Sequence, residues 1–440
     1  MNDKPMNSPY SRRQLLGGGV KLAGLAFAAS VLSPKMLSKA YANETLTVLI
    51  SQPQVGAAEL MAKAFKEATG VNLQIVPVPL DQVQQQLTLD KQSGAHRFDA
   101  FDFWYISKGA LVEDKILMDL TDHIARDQKV IQPDDFIPAI YDPYSLYNGR
   151  RYSLPFDGDT HALFYNTEIL ERNGVKPPTT WDEVVQAAIK ITEAENSKGI
   201  YGIALMGVRV PLMNISVFAN RLANYGGEFL DKDGKPALNS EAAIAAAKNL
   251  VATIPGAVPT PVETGFEEAL TAFVGGRAAM TEGWIDLGVY AEDKSKSRIA
   301  GKWDVVPLPV GGGVTKSRAP LNAGWALGVA DYSTKKELAW ELIKFGSTAQ
   351  MGEKYITTTG TGVDPFRISN MNSENYKSFN PKAQRAAASS LNGAVAWPTV
   401  PQTPRLLEAL SDQLAAMMAG NKSPADAMEQ AQRAWTRLLR

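Results

Sequence analysis

Between residues 45 and 104 short apolar runs alternate with amphipathic ones, and no other feature restricts the possible folds as strongly. The run "TLTVLI" (45–50) predicts a buried strand. In the stretch that follows, Leu60, Met61, Ala64, Phe65 and Ala68 share one helical face, and Gly70 supplies the stop. "VNLQIV" (71–76) alternates as a strand does, a second amphipathic stretch occupies 80–93, and "FDAFDFW" (98–104) is apolar enough for another buried strand. This β-α-β-α-β order predicts an α/β fold with a mostly parallel sheet covered by helices on both faces.

The same pattern returns further on. Thr180 and Glu183 form a capping-box pair ahead of Val184, Val185, Ala188 and Ile189, and "GIYGIAL" follows as a strand. "FLDKDGKPAL" (229–238) predicts a hairpin with an Asp-Gly turn; the later acidic ligands of a calcium loop are missing. Thr334 and Glu337 predict a second capping box, for a helix burying Trp340, Leu342, Ile343 and Phe345. Leu406, Leu407, Leu410, Leu414 and Met417 share a face, and Ser423-Pro424 opens a last helix with Ala427, Met428, Ala431, Trp435 and Leu438. About 400 residues exceed one core, since domains usually stop near ~250–300. No Pro/Gly/Ser-rich linker divides them, so two lobes must be joined by segments that also carry strands.

Residues 1–42 are expected to be an export signal of the twin-arginine type. "SRRQLL" (11–16) sets Arg12 and Arg13 ahead of the apolar run "VKLAGLAFAASVL", and "AYA" (40–42) offers small residues for cleavage. The run falls short of the ~20 residues that span a bilayer. The competing interpretation is a general secretory signal that happens to contain Arg-Arg. Removing six of the 45 Lys+Arg and one of the 46 Asp+Glu leaves 39 against 45, a net charge of −6 for Asn43–Arg440. No basic block invites nucleic acid. With no cysteine, disulfides, zinc-thiolate sites and a lipid-modified cysteine anchor are all excluded. The expected product is soluble, periplasmic and free of a lipid anchor.

Metal and catalytic motifs are weak. His96, His123 and His161 are far apart and lack an HExxH context; "GGG" (311–313) is followed by "VTKS", out of register for a phosphate loop; no G-x-S-x-G elbow occurs. Asp157 and Asp159, two apart on a strand, have the spacing of a glycosidase pair, but they approach a substrate from one side rather than flanking it. Binding without reaction asks for something else: carboxylates and amides for hydroxyl groups, and flat rings for the C–H faces of a sugar. Such residues cluster as Asp102-Phe103-Trp104-Tyr105, Asp157/Asp159/His161, Glu282-Gly283-Trp284-Ile285-Asp286 and Asn322-Ala323-Gly324-Trp325. Trp181, Trp303, Trp340 and Trp435 sit inside periodic patterns and are expected in the core.

Four stretches in order resemble the family 1 extracellular solute-binding proteins, the carbohydrate-binding components of ABC importers related to maltose-binding proteins. They are "YSLPFDGDTHALFYNTEILERNGVKPPTTWDEV" (152–184), "AFVGGRAAMTEGW" (272–284), "WDVVPLPVGGG" with "NAGWALGVADYSTKKELAWELIKF" (303–345) and "GNKSPADAMEQAQRAW" (420–435). The resemblance implies a two-lobe periplasmic binding protein fold (type II) with a ligand cleft at the hinge. It implies lobe 1 from 43–156 plus 302–330 and lobe 2 from 157–301 plus 331–440, with crossings near 154–157, 302–309 and 328–332. It further implies a monomer without enzymatic activity, metal or cofactor that captures a mono- or short oligosaccharide or glycoside and delivers it to membrane permease subunits. Asp157, Asp159 and His161 are then expected at the cleft with Gln52, Asp102, Trp104, Tyr105, Asn322 and Trp325 from the first lobe. Trp284 and Asp286 come from the second, and Arg367 lies where the family often has a basic residue. The rivals are an exported glycosidase using cleft carboxylates and the same fold holding a polyol or other non-sugar solute. A fully anionic solute would want more basic residues than this cleft offers.

Overall fold

The computed structural model describes Tyr41, residues 43–391 and residues 394–440. The expected export signal, 1–42, lies outside the described residues apart from Tyr41. Nine strands build two mixed sheets. They are β1 (Thr45–Ser51), β2 (Asn72–Val78), β3 (Ala100–Trp104), β4 (Leu154–Asp157), β5 (His161–Asn166), β6 (Tyr201–Ala204), β7 (Ala278–Trp284), β8 (Trp303–Val306) and β9 (Trp325–Val329). The first sheet has the order β2-β1-β3-β9-β4 and the second β8-β5-β7-β6. In each, all strands but one run the same way; β9 is the antiparallel member of the first sheet and β5 of the second.

Local sequence explains the first unit directly. Leu46, Val48, Leu49 and Ile50 are buried in β1, as a strand covered on both faces requires. Helix α1 (Val55–Thr69) buries Ala57, Ala58, Met61 and Phe65. It stops at Gly70, whose φ of 77° suits a residue without Cβ and whose N–H closes on the Lys66 carbonyl. The capping box at Thr180 forms as expected at the start of α2 (Trp181–Glu195). Thr180 Oγ1 accepts from Glu183 N at 3.2 Å, and Glu183 Oε2 accepts from Thr180 N at 3.1 Å. The box at Thr334 does not form. Helix α3 (Lys336–Gly346) begins two residues later, because Glu337 is drawn to His123 at 2.9 Å and Arg126 at 3.3 Å. The hairpin at 229–238 is a tight turn in which Asp231 Oδ1 accepts from the N–H of Asp233 and Lys235, and Trp181, Trp303, Trp340 and Trp435 are core residues.

The sheets divide the chain differently from the expected boundaries. The first crossing is Gly158–Thr160, between β4 and β5. The segment 302–330 is split: β8 is the edge of the second sheet, paired to β5, while β9 is inserted between β3 and β4 of the first. Residues 331–440 are split too. Helix α3 packs on α1, β4 and β9, so the chain does not leave the first unit at 328–332. The helix Pro381–Ser390 packs on β5 and β8, which places a crossing between Ile356 and Pro381, and Val395 and Trp397 then touch the first unit again at Leu321 and Tyr105. The two final helices, α4 (Thr403–Met418) and α5 (Pro424–Leu438), then pack on Pro211–Asn224 and Glu241–Thr253 of the second unit. We expect Thr180→Ala to lower unfolding free energy by about 1 kcal/mol in urea titration, whereas Thr334→Ala changes it by less than about 0.5 kcal/mol.

Candidate functional site

The two sheets point the carboxyl ends of most of their strands toward each other, the position where open α/β sheets place ligands. In the first sheet β1 ends at Ser51 and continues through the turn Gln52–Gln54, and Trp325 opens β9 opposite Trp104 and Asp157. Gly324 before it has a φ of 111°, and a Cβ there would lie 1.7 Å from the Tyr144 hydroxyl, so only glycine lets the turn seat this tryptophan. In the second sheet Trp284 closes β7 opposite His161, and Asp286 follows.

Between them lies a cleft of about 440 Å³, within the range of small-molecule sites. Of the sequence-predicted residues, Gln52, Asp159, Trp284, Asp286 and Trp325 line it. Gln54, Phe266, Glu267 and Tyr290 join them, with Leu212 and Met213 as apolar wall. No Lys, Arg or His is among its lining residues. Trp284 Nε1, Trp325 Nε1 and Gln54 Oε1, on three of the lining residues, are buried without a protein hydrogen-bond partner, so the fold leaves two donors and an acceptor unused beside the cleft.

The remaining predicted residues are elsewhere. Asp102 is fully buried and accepts from Ser51 N at 2.7 Å and Ser51 Oγ at 2.6 Å; burial pushes its carboxyl up to about 7. Tyr105 is a core residue, stacked on Tyr144 at 4.5 Å, its hydroxyl donating to Leu321 O and accepting from Trp397 N. Trp104 packs against Trp397 with centroids 5.5 Å apart. Asn322 and His161 are fully buried beneath the cleft. Arg367 serves the first unit, donating to the carbonyls of Ile131 and Ser347 at 2.7 Å each and lying 3.9 Å over the Phe136 ring. Buried carbonyls, not a ligand, account for its position.

Asp157 faces the crossing. Its Oδ2 accepts from Gln54 Nε2 at 2.8 Å and its Oδ1 from the backbone N–H of Asp364 at 2.7 Å. Asp364 returns the contact: its carbonyl accepts from Gly158 N, and its Oδ2 from Thr160 N and Ile285 N at 3.3 Å each. A Cβ on Gly158 would meet Pro365 O at 1.9 Å, so this crossing also requires glycine. Nothing in the sequence marks Asp364 or Gln54 for these roles, since their partners lie far away along the chain.

Asp157, Asp159 and Asp364 are buried and Asp286 is half-buried at the cleft wall, and none of the four forms an ion pair among the described residues. Burial pushes Asp157 up to about 8, with the neighbouring Asp286 charge adding, and Asp286 up to about 6. Burial first, and then the other carboxylates, hold Asp159 and Asp364 well above the usual range. Among the described residues no group of His, Asp or Glu is placed to hold a metal ion.

A carboxyl raised on folding binds a proton in the native state that the unfolded state has lost, so unfolding free energy falls as pH rises through that window. For Asp286 the window runs from its ordinary value of 3.8 to about 6. Buried His161, held neutral down to about 3, acts with the opposite sign below its ordinary 6.5. The two separate by mutation. The unfolding free energy of the parent minus that of Asp286→Asn should fall by on the order of 2 kcal/mol between pH 4 and pH 6 in denaturant titrations, and level off above about pH 7.

The chain is similar over nearly its full length to exported binding proteins. It is 28% identical over 431 residues, 92% of this chain and 93% of the other, to a probable amino-acid ABC transporter periplasmic-binding protein of Sinorhizobium fredii. It is 24% identical over 366 residues, 81% of each chain, to a mannitol-binding protein of Pseudomonas aeruginosa. The structure superimposes on the ribitol complex of an ABC transporter solute-binding protein from Agrobacterium radiobacter with a TM-score of 0.81 and 26% identity, covering 90% of this chain and 99% of that one. The fold is accordingly that of the two-lobe periplasmic binding proteins. Residues 51–353 match the sequence profile of the bacterial extracellular solute-binding proteins, and the chain belongs to that family.

Proposed function

We propose that this protein is the periplasmic substrate-binding component of an ABC importer, which captures a sugar or polyol in the inter-lobe cleft and hands it unaltered to membrane permease subunits. The observation that carries this reading is the lining of the cleft: indole rings and amide and carboxyl groups from both sheets, with no basic side chain among them. A polyhydroxylated solute has apolar C–H faces for Trp284 and Trp325, acceptors for their free N–H groups, and donors for Gln54 and the carboxyls. Anionic solutes find no counter-charge there. Gln52, Asp159, Trp284, Asp286 and Trp325 are the proposed ligand contacts, with Gln54, Phe266 and Tyr290. The protein acts as a soluble monomer exported by a twin-arginine signal, without cofactor or catalysis.

Both lobes touch the ligand only when closed, so ligand shifts the population toward the closed form, and that form is what the permease recognises. A micromolar dissociation constant, about −8 kcal/mol, outweighs an opening gap of a few kcal/mol. A thermal-shift screen against ribitol, mannitol, mono- and disaccharides, glycosides and uronic acids tests this. A neutral sugar or polyol should raise the midpoint and be recovered intact, while uronic acids leave it unchanged. Released monosaccharide, or stabilisation by acidic sugars alone, would overturn the proposal. Trp325→Phe, which keeps a ring but loses the indole N–H, should weaken binding about three- to tenfold by isothermal titration calorimetry.

A further inference from the structure

A buried polar chain runs beneath the cleft, and its direction follows from one group that can only donate. Trp397 Nε1–H donates to Asn322 Oδ1 at 3.2 Å, which leaves the Asn322 amide nitrogen to donate to Asn220 Oδ1 at 2.8 Å. The Asn220 nitrogen then has two hydrogens. One goes to Glu282 Oε2 at 2.8 Å, a carboxylate paired with buried Arg221 at 2.9 Å, and the other to His161 Nδ1 at 3.0 Å. Nδ1 must therefore accept, and the single ring proton of a neutral His161 is on Nε2. That atom is buried without a hydrogen-bond partner, and the imidazole stands at 88° to the Trp284 indole, centroids 4.5 Å apart. An N–H left unpaired in a core costs free energy, and an aromatic face is the partner that lessens the cost. The chain also spans the two units. Asn322 is held on the first by Tyr105 and Tyr144, which donate to the carbonyls of Leu321 and Ala323, while His161 and Glu282 belong to β5 and β7 of the second.

We propose that His161 is a positioning residue for the cleft: fixed as the Nε2–H tautomer by Asn220, whose amide is oriented by the Glu282 carboxylate and by the relay from Trp397 through Asn322, it sets the angle of the Trp284 indole against which the solute packs. The part concerning solute rests on the function proposed above; the tautomer and its control by Asn220 do not.

Long-range proton–nitrogen NMR on ¹⁵N-histidine-labelled protein tests this without ligand, with the His161 signals assigned by their loss in His161→Phe and with His96 and His123 as internal references. The parent should show one histidine locked as Nε2–H and unchanged from pH 8 to pH 5. Asn220→Ala, which removes the donor to Nδ1, should convert that pattern into a tautomer mixture and broaden or shift the 5-fluorotryptophan resonance of Trp284. An Nδ1–H tautomer in the parent, or a His161 pattern indifferent to Asn220→Ala, overturns the proposal even if a variant folds poorly. With ribitol as probe, His161→Phe should bind at least tenfold more weakly; parent-like ribitol affinity in that variant also overturns it. Failure of the parent to bind ribitol counts against ribitol as the solute, while the NMR spectra still decide the tautomer of His161 and its control by Asn220.

Discussion

The mutual grip of Asp157 and Asp364 is the contact on which the rest of this architecture turns. Two chain crossings run side by side there, and neither is in a sheet, so their backbone N–H groups must find acceptors elsewhere. Asp157 takes the N–H of Asp364 and the amide of Gln54; Asp364 takes N–H groups from Thr160 and Ile285 and, through its carbonyl, from Gly158. Carboxyl groups can accept from several donors within one small volume, and glycine at 158 lets the second crossing approach to contact distance. The acidity beside the cleft thus begins as a solution to a backbone problem. Asp159 and Asp286, displayed in the same neighbourhood, extend it to the space a solute enters.

That arrangement separates two kinds of polar residue. Those that line the cleft, such as Gln52, Asp159 and Asp286, follow directly on strand ends, where the chain leaves its ladder and side chains turn toward the facing sheet. Those one layer deeper, such as Asp102, Asn322 and His161, are bonded to other protein groups and give the surface layer its fixed geometry. The first set faces the open volume of the cleft, and the second acts on that volume only through the rings and turns it holds.

The sequence made the first set and much of the fold legible because both depend on neighbours along the chain. Periodicity identified β1, α1 and the tryptophans of the core, and the Thr180 box formed where local pairing had no competitor. At Thr334 the same two-residue pattern failed, because Glu337 is bonded to His123 and Arg126, more than two hundred positions away. Distance along the chain also hid Asp364, whose partner Asp157 is 207 residues earlier, and the acceptors of Arg367, carbonyls and the Asp135 carboxylate that only folding brings to it. Tyr105, one residue past the end of β3, turns into the core, and Asp102, inside β3, is taken up by Ser51 of the neighbouring strand. Lobe boundaries failed for a related reason: nothing local tells which of two sheets the strands Trp303–Val306 and Trp325–Val329 will join.

The interleaving of β9 between β3 and β4 has a consequence for the newly made chain. Until residues 325–329 arrive, the first sheet has a gap in its middle, with unpaired backbone on both sides of it. The second unit waits longer still, because its outer helical layer is closed by Thr403–Met418 and Pro424–Leu438. Neither half can reach its final packing while a large part of the polypeptide is still on the ribosome, so maturation is governed by contacts between distant segments and is slow by topology. The order of synthesis and the order of assembly are decoupled in this molecule.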